Sequence, residues 1–162
     1  MIDKNTFCKL IKLHEKSMYA LAISVVKNDA DAAEIISEAI FRAYENLHAL
    51  KNIDAFKPWI LRIVHNSAVD YIRKNYKSIS IDEIEIAVED KKNDIVTNIS
   101  VRETVKSLKQ PYRTVVMLYY YENLTVPQIA KITNSTAVAV KQRLSRARKQ
   151  MREILKEDFC DE

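Results

Sequence analysis

The sequence predicts an all-α chain, two small helical domains joined by an acidic linker. Apolar residues recur at spacings of three and four along most of its length, which marks helices with one buried stripe. That periodicity lapses near residue 75 and resumes before residue 100. The stretch LTVPQIAKITNSTAVAVKQRLSRARKQM, residues 124 to 151, then reads as two short helices around a tight turn. Charge divides along the same lines: residues 1–74 hold 11 cations against 9 anions, residues 75–100 hold 3 against 6, and residues 101–162 hold 12 against 7. Two basic bodies therefore flank an acidic segment.

Taken in order, Phe7, Leu10, Ile11, Met18, Leu21, Ala22 and Val25 define a first helix starting near Thr6 and stopping near Asn28. A second starts at about Asp31, read as its N-cap, and buries Ile35, Ile36, Ala39, Ile40, Ala43 and Leu47. Its other face shows Glu34, Glu38, Arg42 and Glu45. After the loop HALKNID, a third begins near Asp54 to Phe56, since Pro58 is admissible only close to the first turn. Phe56, Trp59, Ile60, Ile63, Val64 and Tyr71 would pack it. KSISIDEIEIAVEDKKND has brief alternation but no helical stripe, and reads as linker. A fourth helix over roughly Ile95 to Leu108 and a fifth from Pro111 to about Glu122 complete the set before the helix-turn-helix.

Composition excludes several classes of function. The chain has 162 residues, 48% of them hydrophobic, enough for real cores. Glycine is absent, which removes the phosphate-cradling loops that depend on it. His14, His48 and His65 are scattered, and Cys8 and Cys160 sit in no metal-type spacing. No catalytic centre, cofactor, metal or small-molecule substrate is expected. No run approaches the ~18 apolar residues of a membrane span, and the start lacks a secretory signal, so a cytoplasmic protein is expected.

Within the helix-turn-helix, Thr125 and Gln128 form a capping box, and Pro127 sits where its missing amide hydrogen is harmless. Asn134 takes the left-handed turn position, and Asn123 does the same ahead of Leu124. The second helix, capped by Thr136, buries Val140, Leu144, Ala147 and Met151 at successive spacings of 4, 3 and 4. From Thr133 to Arg152 there is no acidic side chain, so the partner is a polyanion. The open side presents Val138, Ala139, Lys141, Gln142 and Ser145 first, then Arg146, Lys149 and Arg152, with Arg143 and Arg148 flanking the buried strip. Short apolar groups suit thymine methyls, Lys141 suits guanine acceptors and Gln142 suits adenine. The arginines further along suit phosphates and set register.

With these residues in view, the chain resembles the bacterial RNA polymerase sigma factors of the extracytoplasmic-function (ECF) group of the sigma-70 family. SLKQPYRTVVMLYYYENLTVPQIAKITNSTAVAVKQRLSRAR is similar to region 4, which recognises the −35 promoter element. DADAAEIISEAIFRAYENL and FKPWILRIVHNSAVDYIRK resemble region 2, which binds the β′ clamp helices and opens the −10 element. Phe56, Trp59, Ile63, Asn66, Asp70 and Arg73 carry the region 2 pattern. The resemblance implies region 2 over residues 1–75, a linker over 76–98 and region 4 over 99–162. It departs from the family at Asn123 and Asn134, which replace glycine, at Pro127, where an acidic residue is frequent, and at Ala33 and Ser37 on the second helix.

The resemblance further implies site residues and partners. Duplex −35 DNA would meet Thr136, Ala137, Val138, Ala139, Lys141, Gln142, Arg143, Ser145, Arg146, Arg148 and Lys149. The −10 element would meet Arg62, Asn66, Arg73 and Lys74 of the third helix. Asn52, in the loop from His48 to Asp54, would capture an extruded base, offsetting an unpairing cost of a few kcal/mol. Asp70 would orient a neighbouring cation, Trp59 reads as core, and Glu34, Glu38 and Arg42 would contact polymerase. The acidic linker would run through the polymerase interior; a solvated tether is the plainer alternative. Partners would be the β and β′ subunits of core polymerase, promoter DNA and an anti-sigma factor, often membrane-anchored in this family. The competing reading is a stand-alone helix-turn-helix regulator that binds operator DNA as a dimer.

Overall fold

The computed structural model describes residues 2–75 and 101–160; the expected linker and the expected start of the fourth helix near Ile95 lie outside the described residues. Every regular element among the described residues is helical.

Helix α1 spans Lys4–Val26. It begins earlier than expected because Asp3 caps it, the carboxylate accepting from the Thr6 amide at 2.8 Å. It ends where Lys27 turns left-handed at φ 59°. Helix α2 spans Asp29–Glu45, and its cap is Asn28 rather than Asp31. The Asn28 side-chain oxygen accepts from the Asp31 amide at 2.8 Å. Asp31 therefore lies inside the first turn, where its carboxylate suits the positive end of the helix and accepts from the Tyr71 hydroxyl. Two short 3₁₀ turns, Leu47–Ala49 and Ile53–Ala55, lead into α3, Phe56–Asn75.

These three helices close on Met18, Leu21 and Ala22 from α1, Ile35, Ala39 and Ala43 from α2, and Phe56, Ile60, Leu61, Val64 and Ala68 from α3, all buried. Each large aliphatic or aromatic side chain so buried contributes about 1.5–3 kcal/mol. Phe56 sits at the centre of an aromatic cluster, with the rings of Phe7, His14 and Trp59 between 5.5 and 6.3 Å away. Trp59 is half-buried packing.

In the second described segment, α4 spans Val101–Ser107 and α5 spans Tyr112–Val116, continuing as a π-helical turn over Met117–Tyr121. The expected fifth helix is thus one stretch whose second half unwinds by a residue, the Glu122 amide reaching back to the Met117 carbonyl. Asn123 then turns left-handed at φ 56°. Helices α6, Val126–Ile132, and α7, Ala137–Cys160, form the helix-turn-helix. Ile129, Ala130 and Ile132 of α6 and Val140, Leu144 and Ala147 of α7 are buried, together with Val115, Val116 and Leu118 from the preceding helix.

The expectation of two bundles on a tether leaves out what the structure adds. The two groups pack on one another, α5 against α1 and α6 against α3, and their buried residues form one continuous core.

Candidate nucleic-acid interface

The helix-turn-helix is built by local chemistry at each joint. Thr125 and Gln128 form the reciprocal capping box, with Pro127 in the first turn of α6. At the other end Asn134 stands at φ 55°. The Ser135 amide donates to the Ala130 carbonyl at 2.9 Å and the Asn134 amide to the Lys131 carbonyl at 3.4 Å, the paired bonds of a Schellman ending. That motif normally takes glycine; asparagine tolerates the left-handed backbone best among the rest. Thr136 then caps α7, its hydroxyl accepting from the Ala139 amide at 3.1 Å.

Helix α7 buries Val140, Leu144 and Ala147, and half-buries Met151. The opposite side stands clear: Ala137, Val138, Lys141, Gln142, Ser145, Arg146 and Lys149 are exposed, Val138 at 66%. A large apolar group left so open suits a methyl-bearing surface. Ala139 is half-buried. The two flanking arginines lie closer to the rest of the protein. Arg143 is half-buried and its charge reaches His65 of α3. Arg148 donates from Nε to the Tyr120 hydroxyl at 2.7 Å, an anchor that sequence spacing does not reveal across 28 residues.

On the N-terminal bundle, Arg62, Arg73 and Lys74 are exposed along α3, whereas Asn66 is half-buried. Asn66 accepts at Oδ1 from the Asn134 amide group at 2.8 Å, so a −10 candidate and the helix-turn-helix turn are brought into contact. Asn52 is exposed but its Oδ1 caps the short turn before α3, accepting from the Asp54 amide at 3.0 Å. Asp70 does orient a cation: Arg42 donates to it at 2.8 Å and to Glu38 at 3.0 Å. The Asp70 carboxylate, then burial opposing it and Glu38 assisting, holds the Arg42 guanidinium above its ordinary pKa. Glu34, Glu38, Arg42, Asp70 and Lys74 share one shallow hollow between α2 and α3.

Elsewhere on α2 stand two exposed side chains that the sequence pattern does not single out. Phe41 and Tyr44 are 60% and 50% exposed on α2. Their signal was present, because both are large and apolar yet fall outside the stripe through Ile35, Ala39 and Ala43.

His65 carries the strongest electrostatic perturbation. Burial first, and the Arg143 cation second, lower its pKa to about 4, and its buried Nδ1 has no hydrogen-bond partner among the described residues. His14 is also lowered, by burial and then by Lys57, with Glu122 opposing. No helix among the described residues is long and apolar enough to cross a membrane.

Comparison with known proteins agrees with both halves of this arrangement. The Sigma-70 region 2 family matches residues 10–78 and the Sigma-70 region 4 family matches residues 99–151. The chain is 35% identical to RNA polymerase sigma factor SigV of Bacillus subtilis over 148 residues, covering 90% of this chain and 89% of that protein. It is 28% identical to ECF RNA polymerase sigma factor SigW of the same organism, covering 96% and 91%. Among solved structures, the fold is shared with the sigma factor RpoE of Bartonella quintana, solved with the anti-sigma factor NepR. The TM-score there is 0.71 at 18% identity, covering 93% of this chain and 96% of that one. It is shared too with CnrH, solved with the cytosolic domain of CnrY, at a TM-score of 0.67 and 19% identity, covering 96% and 91%. A chain with a region 2 bundle before a region 4 helix-turn-helix, and a relative this similar along nearly its whole length, belongs to the sigma-70 family of RNA polymerase sigma factors, in its ECF group.

Proposed function

We propose that this chain binds core RNA polymerase in the cytoplasm and directs it to promoters, with region 2 over residues 1–75, a linker over 76–98 and region 4 over 99–162. The single observation that carries the reading is the pairing, in one chain, of an acid-free exposed face on α7 with the α2 and α3 faces of the bundle. A regulator that only reads duplex DNA has use for the first and none for the second.

The division of labour follows from physical chemistry. Val138, Lys141, Gln142 and Ser145, on the first half of α7, read −35 base edges. Arg146 and Lys149 hold phosphates, and Arg148, braced by Tyr120, adds a fixed positive charge beside them. On the bundle, Arg62, Arg73 and Lys74 attract the −10 backbone, while Asn66 and Asn52 supply polar contacts to unpaired bases. Melting without nucleotide hydrolysis takes its free energy from such capture. Glu34, Glu38 and Arg42 form the polymerase face, with Arg42 held by Asp70 and Glu38. Phe41 and Tyr44, exposed on the same helix, add apolar area of the kind protein interfaces bury. The sigma factor RpoE solved with the anti-sigma factor NepR supports an anti-sigma partner for this chain as well.

Run-off transcription with purified core polymerase tests this directly. The expected result is initiation confined to templates that share a −35 element. Tight unaided binding to two-fold symmetric half-sites, without initiation, would assign the chain to dimeric regulators instead.

A further inference from the structure

Away from the DNA and polymerase faces, the chain holds a cavity of about 760 Å³ between α1 and the helices α4 and α5. Lys16, Ala20, Ile23 and Lys27 recur at spacings of four, three and four along α1 and so line it from one side. Val105 and Met117, 6% and 7% exposed, give it an apolar floor on the other. Its volume lies within the range of about 300–1,000 Å³ usual for small-molecule sites.

Three cations of the lining stand without a hydrogen bond or ion pair among the described residues. They are Lys16 on α1 and, one turn apart on α4, Arg102 and Lys106, all exposed. The two carboxylates of the lining do not neutralise them. Asp29 accepts from the Tyr19 hydroxyl, and Glu122 is engaged by Lys57 at 3.1 Å and by Ser17 at 2.6 Å. Arg113, at the base, is 3% exposed and donates to the Ser24 and Leu108 carbonyls at 2.6 and 2.8 Å. Cations on two walls of one cavity repel one another and are drawn to an anion placed between them. Tyr19 and Tyr121, 39% and 47% exposed, add aromatic surface to the same lining.

We propose that this cavity binds a purine nucleoside triphosphate, with Lys16, Arg102 and Lys106 on the phosphates, Tyr19 and Tyr121 against the base, and Asp29 accepting from a ribose hydroxyl. A lone phosphate would leave the apolar floor and both tyrosines unused. A carboxylate with an apolar tail would satisfy one cation of the three. A nucleotide uses ring surface, floor and charge together. The chain has no glycine loop to cradle phosphate with backbone amides, so side-chain charge holds it here, as lysine and arginine do elsewhere. Only binding is involved, and none of these residues belongs to the DNA or polymerase faces.

Titration calorimetry of the full chain with ATP reads the site. One saturable site is expected, with adenosine and inorganic triphosphate each binding at least about tenfold more weakly, since each keeps only part of the contacts. Lys16→Gln with Lys106→Gln should weaken ATP at least about tenfold, and Tyr121→Leu at least about fivefold. All three residues are exposed, so these variants keep the fold. Lys131→Gln with Lys156→Gln removes as much charge from exposed positions outside the lining and should leave ATP affinity within about twofold. A photoreactive azido-ATP should label the peptides that hold Tyr19 or Tyr121. Equal losses from the two lysine pairs would mean that the basic surface alone holds the anion, and would overturn the site. So would label absent from both peptides, no saturable binding, or inorganic triphosphate binding as tightly as ATP. Run-off transcription judges the sigma reading separately, because it does not depend on these residues.

Discussion

Helices α7 and α3 are the two candidate DNA-facing helices of this chain, and they are finished to different degrees. Helix α7 packs with one strip and carries no acidic side chain from its cap to Arg152, so its reading side stands complete in solvent. Helix α3 is covered by α1, α2 and α6, carries Asp70 among its cations, and has Asn66 bonded to the turn of the other motif. The difference teaches that the helix proposed for duplex DNA is a finished surface, whereas the one proposed for melted strands has its central polar residue already engaged by the other motif.

Removing the packing beneath α3 gives the largest expected effect and isolates the bundle from the reader. Phe56→Ala empties the centre of the aromatic cluster and should cost about 3–5 kcal/mol of stability, seen in denaturant unfolding. A loss near the value of an exposed site would mean that α3 is not held from below.

Acid sharpens the contrast from the side of α3. His65 is kept neutral in the folded chain, with a pKa of about 4 against an ordinary value near 6.5, and the charge facing it is Arg143 from α7. Below its unfolded pKa the unfolded chain binds a proton that the folded chain does not. Its stabilising effect is therefore complete above about pH 6.5 and lost as pH falls toward 4, amounting to about 3 kcal/mol at the limit. Thermal unfolding between those pH values should show a shallower slope for His65→Gln than for the parent; equal slopes would contradict the assignment.

Smaller effects belong to α7. Lys141→Ala and Gln142→Ala should each lose about 1–3 kcal/mol at preferred −35 sequences and relax preference there. Arg146→Ala should weaken all sequences evenly and reduce the salt slope by about one. Binding-site selection at two salt concentrations separates the two behaviours. Thr125→Ala should cost about 1 kcal/mol, by removing the capping box that seats α6 beneath α7.

How much of this was legible follows the same divide. The helix-turn-helix could be read because its joints are local: Thr125 with Gln128, Asn134 in its left-handed turn and Thr136 at the next cap act within a few residues of one another. The buried strip of α7 was legible from spacing alone. The cap of α2 was misread by three residues, because Asn28 and Asp31 are equally good acceptors and only the geometry after Lys27 decides between them. Contacts that join distant segments were out of reach. Asp70 could be read as orienting a cation, but that the cation is Arg42, 28 residues away, depends on how α2 crosses α3. Likewise nothing near Ser24 shows that its carbonyl is capped from residue 113.

The central claim is that one half of the chain positions and the other opens. Permanganate reactivity of −10 thymines, in complexes of core polymerase with the parent, with Asn66→Ala or with Gln142→Ala, tests it most directly. The account predicts that Asn66→Ala keeps −35 protection but loses thymine reactivity, whereas Gln142→Ala loses both on its preferred promoter and recovers both together on a −35 sequence it accepts. Full thymine reactivity with Asn66→Ala alongside lost −35 protection would contradict it.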